Sequence, residues 1–270
     1  MRLFAAVLAL AMFDGTCARP HAMEVWPTPL EGVALHDEGA RVQAPGVHVR
    51  TYTFEGLWVA EAVLGDVSPD ASLPLALHLH GRADRPRIPG GPFERLSPVR
   101  VLVPRGPHRV GDGYAWARSS VTENRHDELA ADLVDVTERL SRLIAFVERR
   151  RGTVGVPVAT GFSQGGMVAW TMAVRHPDRV GLALPIAGWV PPRARPTGVR
   201  PVPVKAMHGT ADRIVPIALT RDFVSEQRGA GHDVAWREFD GVGHEVTPAM
   251  DRQFGAWLRE ALSTAPRHRP

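Results

Sequence analysis

Short apolar runs alternate with amphipathic segments along most of this chain, and few architectures accept that alternation. Residues 73–79, 99–103, 156–160, 180–186, 202–207 and 234–239 read as strands. Most of them are apolar at successive positions, as strands are when both faces of a sheet are covered. Residues 127–151 place Leu129, Leu133, Val136, Leu140, Leu143, Ile144 and Val147 at spacings of three and four, which predicts a helix with one apolar face. Residues 163–175, 216–228 and 248–262 continue the helical pattern. Near the start, residues 47–54 and 57–64 flank Glu55-Gly56 and predict a β-hairpin. The expected fold class is α/β: a mostly parallel central sheet with helices on both faces and an N-terminal hairpin, one domain over residues 46–264. Residues 191–203 read as a loop, so no large lid is expected.

Composition narrows the chemistry. Hydrophobic residues make up 44% and charged residues 23% of the 270, which excludes a disordered, collagenous or coiled-coil chain. Cys17 is the only cysteine, so a disulfide framework and a multi-thiolate zinc site are excluded. The net charge is +3, with arginines interspersed among acids, which argues against a nucleic-acid partner.

Arg2 precedes an apolar run over residues 3–13, too short to cross a bilayer as a helix. Thr16, Cys17 and Ala18 follow, and cleavage after Ala18 fits a secretory signal. Residues 1–22 are therefore expected to be a signal peptide and 23–45 an extended lead-in, with a secreted or periplasmic product. Translation from Met23 would instead leave the protein in the cytoplasm. Lipidation at Cys17 is disfavoured by Asp14. No later stretch is long and apolar enough to be a transmembrane segment.

Gly161-Phe162-Ser163-Gln164-Gly165 fits G-x-S-x-G, between a predicted strand and a predicted helix. Glycines two before and two after the serine let a very sharp turn close, holding the hydroxyl above the strand ends. A serine needs an adjacent base. His244 follows the last predicted strand in a glycine-bearing loop. Asp212, after strand 202–207, is the candidate to orient it, with Asp240 as the rival. The order Ser163, Asp212, His244 suits a hydrolase triad. The Gln164 amide, at a helix N-terminus, suits an oxyanion, and the loop His80-Gly81-Arg82 supplies a second amide. His78, His80 and His208 raise a metal reading, but no carboxylate stands ready to complete such a site, so no metal is expected.

These pieces resemble the carboxylesterase/phospholipase branch of the α/β-hydrolases, which includes the acyl-protein thioesterases. The matching text is Leu79-His80-Gly81, Gly161-Phe162-Ser163-Gln164-Gly165-Gly166, Ala187-Gly188-Trp189, His208-Gly209-Thr210-Ala211-Asp212 with Val215-Pro216, and Gly243-His244. The resemblance implies that Ser163 is the acyl-accepting nucleophile, His244 the general base and then acid, and Asp212 its orienter. It assigns the oxyanion hole to the amides of Gln164 and Arg82 and places Gly81, Trp116 and Trp189 beside the substrate. It implies no cofactor, and a small-molecule or lipid ester as substrate. One departure stands out: after His80-Gly81 the family usually carries a further glycine and an acidic residue, whereas this chain has Arg82. The expected function is a soluble serine carboxylesterase, thioesters included. The alternatives are a peptidase, a polyester depolymerase, an acyltransferase, or a non-catalytic binding member of the fold.

Overall fold

Prolines decide where several strands begin. Pro74, Pro157 and Pro203 have no N–H to give a sheet, so the pairing starts just after each. In the computed structural model of the chain, β1 is Ala34–Leu35, β2 Val47–Phe54, β3 Leu57–Leu64, β4 Leu75–Leu79, β5 Val99–Pro104, β6 His108–Val110 and β7 Gly113–Ala115. Helix α1 (His126–Arg151) leads to β8 (Val158–Phe162), α2 (Gln164–Arg175), β9 (Leu182–Ile186), β10 (Val204–Gly209), α3 (Ile217–Gly229), β11 (Val234–Phe239) and α4 (Pro248–Ser263). The structure describes residues 34–35, 46–96 and 98–263. The expected signal peptide, Cys17, and the lead-in apart from residues 34–35 lie outside them.

Among the described residues nine strands form one sheet in the order β1-β2-β3-β5-β4-β8-β9-β10-β11. From β5 through β4 to β11 all neighbours run parallel, while β1, β2 and β3 pair antiparallel at one edge. The hairpin has the expected boundaries. The lead-in, expected to be plain extended chain, contributes β1, which pairs with Thr53 and Tyr52. The small β6–β7 ribbon is an addition that alternation did not reveal, because both strands are only three residues long.

Side chains of successive residues leave opposite faces of each strand. Leu75, Leu77, Leu79, Ala159, Ala183 and Ala206 enter the core covered by α1, α2 and α3. Ala76, Val101, Val158, Leu184 and Met207 enter the other core, covered by α4 through Met250, Phe254 and Leu258, with Phe93 beside them. Helices thus cover both faces, three on one and one on the other. Between β9 and β10 stands only the short 3₁₀ turn Pro192–Ala194. No helix among the described residues is long and apolar enough to cross a membrane.

The chain leaves β4 toward β5 on one side and returns to β8 on the other. Strand order therefore reverses between β4 and β8, the place where open parallel sheets form a crevice beyond their carboxyl ends.

Candidate active site

Ser163 joins β8 to α2 with φ 57° and ψ −123°. A side chain seldom adopts a positive φ, and such strain persists only where neighbours hold it. Here the Ser163 N–H donates to the Ile186 carbonyl at 2.9 Å and the Ser163 carbonyl accepts from Met167 N–H at 2.9 Å. Two glycines make the turn feasible. A Cβ on Gly161 would lie 2.4 Å from the Gly165 carbonyl oxygen, and one on Gly165 would lie 2.3 Å from that of Leu79.

The hydroxyl of Ser163 stands 2.8 Å from Nε2 of His244, and Nδ1 of His244 stands 2.7 Å from Oδ2 of Asp212. A carboxylate can only accept, so the proton of neutral His244 sits on Nδ1. That leaves Nε2 with a free lone pair facing the Ser163 O–H. Phe162 flanks the imidazole, ring centroids 4.7 Å apart. The structure thus brings Ser163, Asp212 and His244 together from loops after β8, β10 and β11. The rival acid, Asp240, does not join them: its carboxylate accepts from the Thr210 hydroxyl at 3.1 Å.

Asp212 is buried and fully engaged. Oδ1 accepts the amides of Ile214 and Val215, both at 2.9 Å. Oδ2 accepts from His208 Nε2 at 3.1 Å as well as from His244. Burial pushes the Asp212 carboxyl up, but the bonds from His244 and the amides of Val215 and Ile214 outweigh it and hold the group below its ordinary range. His208 was absent from the expected triad and was weighed only as a metal ligand. Its Nε2 faces two acceptors, Asp212 Oδ2 and the Val215 carbonyl at 2.9 Å, so it carries the proton there. The i, i+4 spacing of His208 and Asp212 was the one sequence signal for this contact.

The other two histidines of the metal reading are committed elsewhere. His80 donates from Nδ1 to the Gly81 carbonyl at 2.7 Å and accepts the Gly106 N–H on Nε2 at 3.0 Å. His78 Nδ1 bonds the Thr160 hydroxyl at 3.1 Å. No group of three His, Cys, Asp or Glu among the described residues is arranged to hold a metal ion.

Beside Ser163 opens a small recess. Arg82 and the segment Ser120, Val121 and Thr122 line one part; Leu129, Met167, Ile214 and Val215 line the rest with Gln164. Leu129 and Met167 are buried, whereas Ile214 is exposed at the mouth. Arg82 and Gln164, the two residues expected to supply oxyanion amides, both line this recess. Gly81 abuts the serine, since a Cβ on it would come within 3.7 Å of Ser163 Cβ.

Trp116 and Trp189, expected beside the substrate, are both buried and are not among the residues that line this recess. Trp116 is fully buried, its indole N–H donates to the His80 carbonyl at 2.7 Å, and its ring lies 4.8 Å from that of His80. It braces the loop after β4 from behind. Trp189 is buried in the core under α1 and meets His126 edge-on.

Residues 116–259, just over half of the chain, match the family pattern described as phospholipase/carboxylesterase. The chain belongs to that family. Acyl-protein thioesterase 1 of Gibberella zeae is 31% identical over 112 residues, 39% of this chain and 48% of that one. Carboxylesterase SOBER1 of Arabidopsis thaliana is 24% identical over 107 residues, 38% of this chain and 47% of that one. The chain spans about half the length of these curated relatives. Among solved structures, esterase PE8 superposes with a TM-score of 0.63 at 24% identity, covering 71% of this chain and 94% of the other. That likeness speaks for the α/β-hydrolase fold alone. The family match begins at Trp116, so the loop holding Arg82 lies outside it.

Buried imidazoles make this family member's stability depend on pH. Desolvation lowers half-buried His78 to about 4, and burial also lowers His80, His176 and His208. All four are neutral in the fold, whereas in the unfolded chain each titrates near 6.5. Above about pH 6.5 neither state is protonated and their contribution is complete. Below it the unfolded chain takes up protons first, so stability falls with pH until the folded groups titrate. Urea denaturation at pH 7.5 and pH 5 is expected to show a clearly lower midpoint at pH 5; equal midpoints would refute this account.

Proposed function

We propose that the protein is a serine hydrolase of carboxylic esters, thioesters included, working through an acyl-enzyme on Ser163. The observation that carries this reading is the unbroken chain Ser163 Oγ, His244, Asp212 at 2.8 and 2.7 Å, with the serine in a strained turn at the crevice. His244 Nε2 takes the hydroxyl proton as Oγ attacks the carbonyl carbon. The carbonyl oxygen becomes an oxyanion received by the amides of Gln164 and Arg82. When the tetrahedral intermediate collapses, the bond to the alcohol or thiol breaks and His244 returns the proton to that leaving group. Water then attacks the acyl-enzyme with the same assistance and releases the acid, restoring Ser163. Asp212 stays ionised throughout and stabilises the imidazolium.

The recess favours short to medium acyl groups on soluble esters. Buried Leu129 and Met167 close it, and no helical lid follows β9. Relatives bearing the names thioesterase and carboxylesterase agree with both leaving-group types. The test is a panel of p-nitrophenyl esters and acyl thioesters from acetyl to palmitoyl, run with fluorophosphonate labelling of the purified full chain. Turnover that falls off at long chains, with the label on the Ser163 peptide, is expected. No turnover together with no label would end the reading.

A further inference from the structure

We infer that Arg82 is a positioning residue whose side chain ties the oxyanion loop to the recess wall through the Ala117 carbonyl, which it shares with Gln164. This rests on the hydrolase reading only for its kinetic consequence; the tie itself is structural.

Arg82 follows β4 and Gln164 opens α2 just after β8, and both line the recess. Their side chains converge on the Ala117 carbonyl. Arg82 Nη1 donates to the carbonyls of Ala117 and Arg118, each at 3.0 Å. Gln164 Nε2 donates to the carbonyls of Ala117 and Ser119, each at 3.2 Å, and its Oε1 accepts the Trp116 N–H at 2.7 Å. Residues 116–119 are thereby held by two side chains at one shared oxygen, immediately before the wall residues Ser120, Val121 and Thr122. Arg118 anchors the far side on α1, its N–H donating to Asp132 Oδ2 at 2.8 Å.

The result is a closed circuit: Arg82 backbone, guanidinium, Ala117 carbonyl, Gln164 side chain, Gln164 backbone. A circuit of this kind sets the separation of the two amides more tightly than either loop alone, because each bond removes freedom from both partners. Other charge near Arg82 is modest. Its Nη2 lies 3.8 Å from Glu123 Oε1, a long pair at a partly exposed place. One guanidinium nitrogen serves both carbonyls through its two N–H bonds; an ammonium carries enough donors for both, but lysine's Nζ stands one bond short of the Nη1 position.

Geometry sets the expected cost. Displacing an oxyanion donor by a fraction of an ångström to about 1 Å lowers turnover about 10- to 100-fold. Arg82→Met and Gln164→Met keep both backbone amides and most of the side-chain volume. Each is expected to lower kcat per labelled active site about 10- to 100-fold on p-nitrophenyl acetate, with KM changed far less. The double variant is expected to be little worse than the poorer single, because both act through one carbonyl. Arg82→Lys, which retains the charge and enough donors on a shorter stem, should recover only a small part.

Hydrogen exchange supplies a readout that needs no turnover. Amides of residues 117–123 should exchange at least about tenfold faster in Arg82→Met than in the parent, with exchange in β9 and β10 unchanged. Unchanged exchange in 117–123 overturns the inference, whether or not the protein hydrolyses esters. So do additive kinetic losses, or an Arg82→Met variant within twofold of an active parent. A parent inactive on every ester tells against the hydrolase reading instead, and the exchange result then decides this one alone.

Discussion

Ser163→Ala is expected to lower kcat on a soluble ester by about 10⁶-fold, and His244→Ala by a similar factor. Serine and imidazole act as one unit across the 2.8 Å contact, so either loss removes the whole nucleophilic route. The double variant should therefore be no slower than the worse single. What remains, about 10³ to 10⁴ above the uncatalysed rate, comes from the oxyanion amides and the recess. Folding should survive the serine change, and by a small margin improve: alanine removes a hydroxyl without altering the backbone that neighbours already hold at φ 57°. The check is single-turnover hydrolysis with circular dichroism on the same samples. Wild-type-like turnover in Ser163→Ala would dispose of the mechanism.

Asp212→Asn is expected to lower kcat about 10⁴-fold. The reason lies in how this carboxylate is bonded. Oδ1 accepts two backbone amides, from Ile214 and Val215, so the oxygen of an asparagine must take that place. Its NH₂ group then falls where Oδ2 was, facing His244 Nδ1 and His208 Nε2, which both donate in the parent. His244 must switch its proton to Nε2, which turns a donor toward the serine hydroxyl and removes the base. His208 can switch too, but then its Nε2 lone pair faces the Val215 carbonyl. Asp212→Asn should consequently lose stability as well as rate, by about 1–3 kcal/mol, the usual penalty for a buried polar group left unmatched. Asp240→Asn is the control. Its carboxylate accepts from the Thr210 hydroxyl and takes no part in the His244 contact, so turnover should stay within about twofold of the parent, as is usual for exposed changes away from such features. Equal losses in the two variants would move the orienting role away from Asp212.

Much of the fold was readable in the residue order because parallel strands covered on both faces must be apolar throughout, and covering helices must be apolar on one face. Both patterns survive without knowledge of any neighbour. Boundaries moved by about two residues at β4, β8 and β10 because the apolar runs include Leu73, Val156 and Val202, whereas Pro74, Pro157 and Pro203 stop the hydrogen-bonded ladder. The β6–β7 ribbon was not legible, since three residues per strand leave no period to detect.

The candidate site divides along the same line. By itself, the order of residues determined that a serine, an aspartate and a histidine each follow a strand, and that a glycine-flanked turn holds the serine. Those are local demands of backbone geometry, and local demands are written in adjacent residues. Only the tertiary structure decided that His208 shares Asp212 with His244, that Trp116 and Trp189 turn inward, and that Arg82 and Gln164 meet at the Ala117 carbonyl. Each of these joins side chains to partners on other elements, at distances of a few ångströms that the spacing along the chain does not encode.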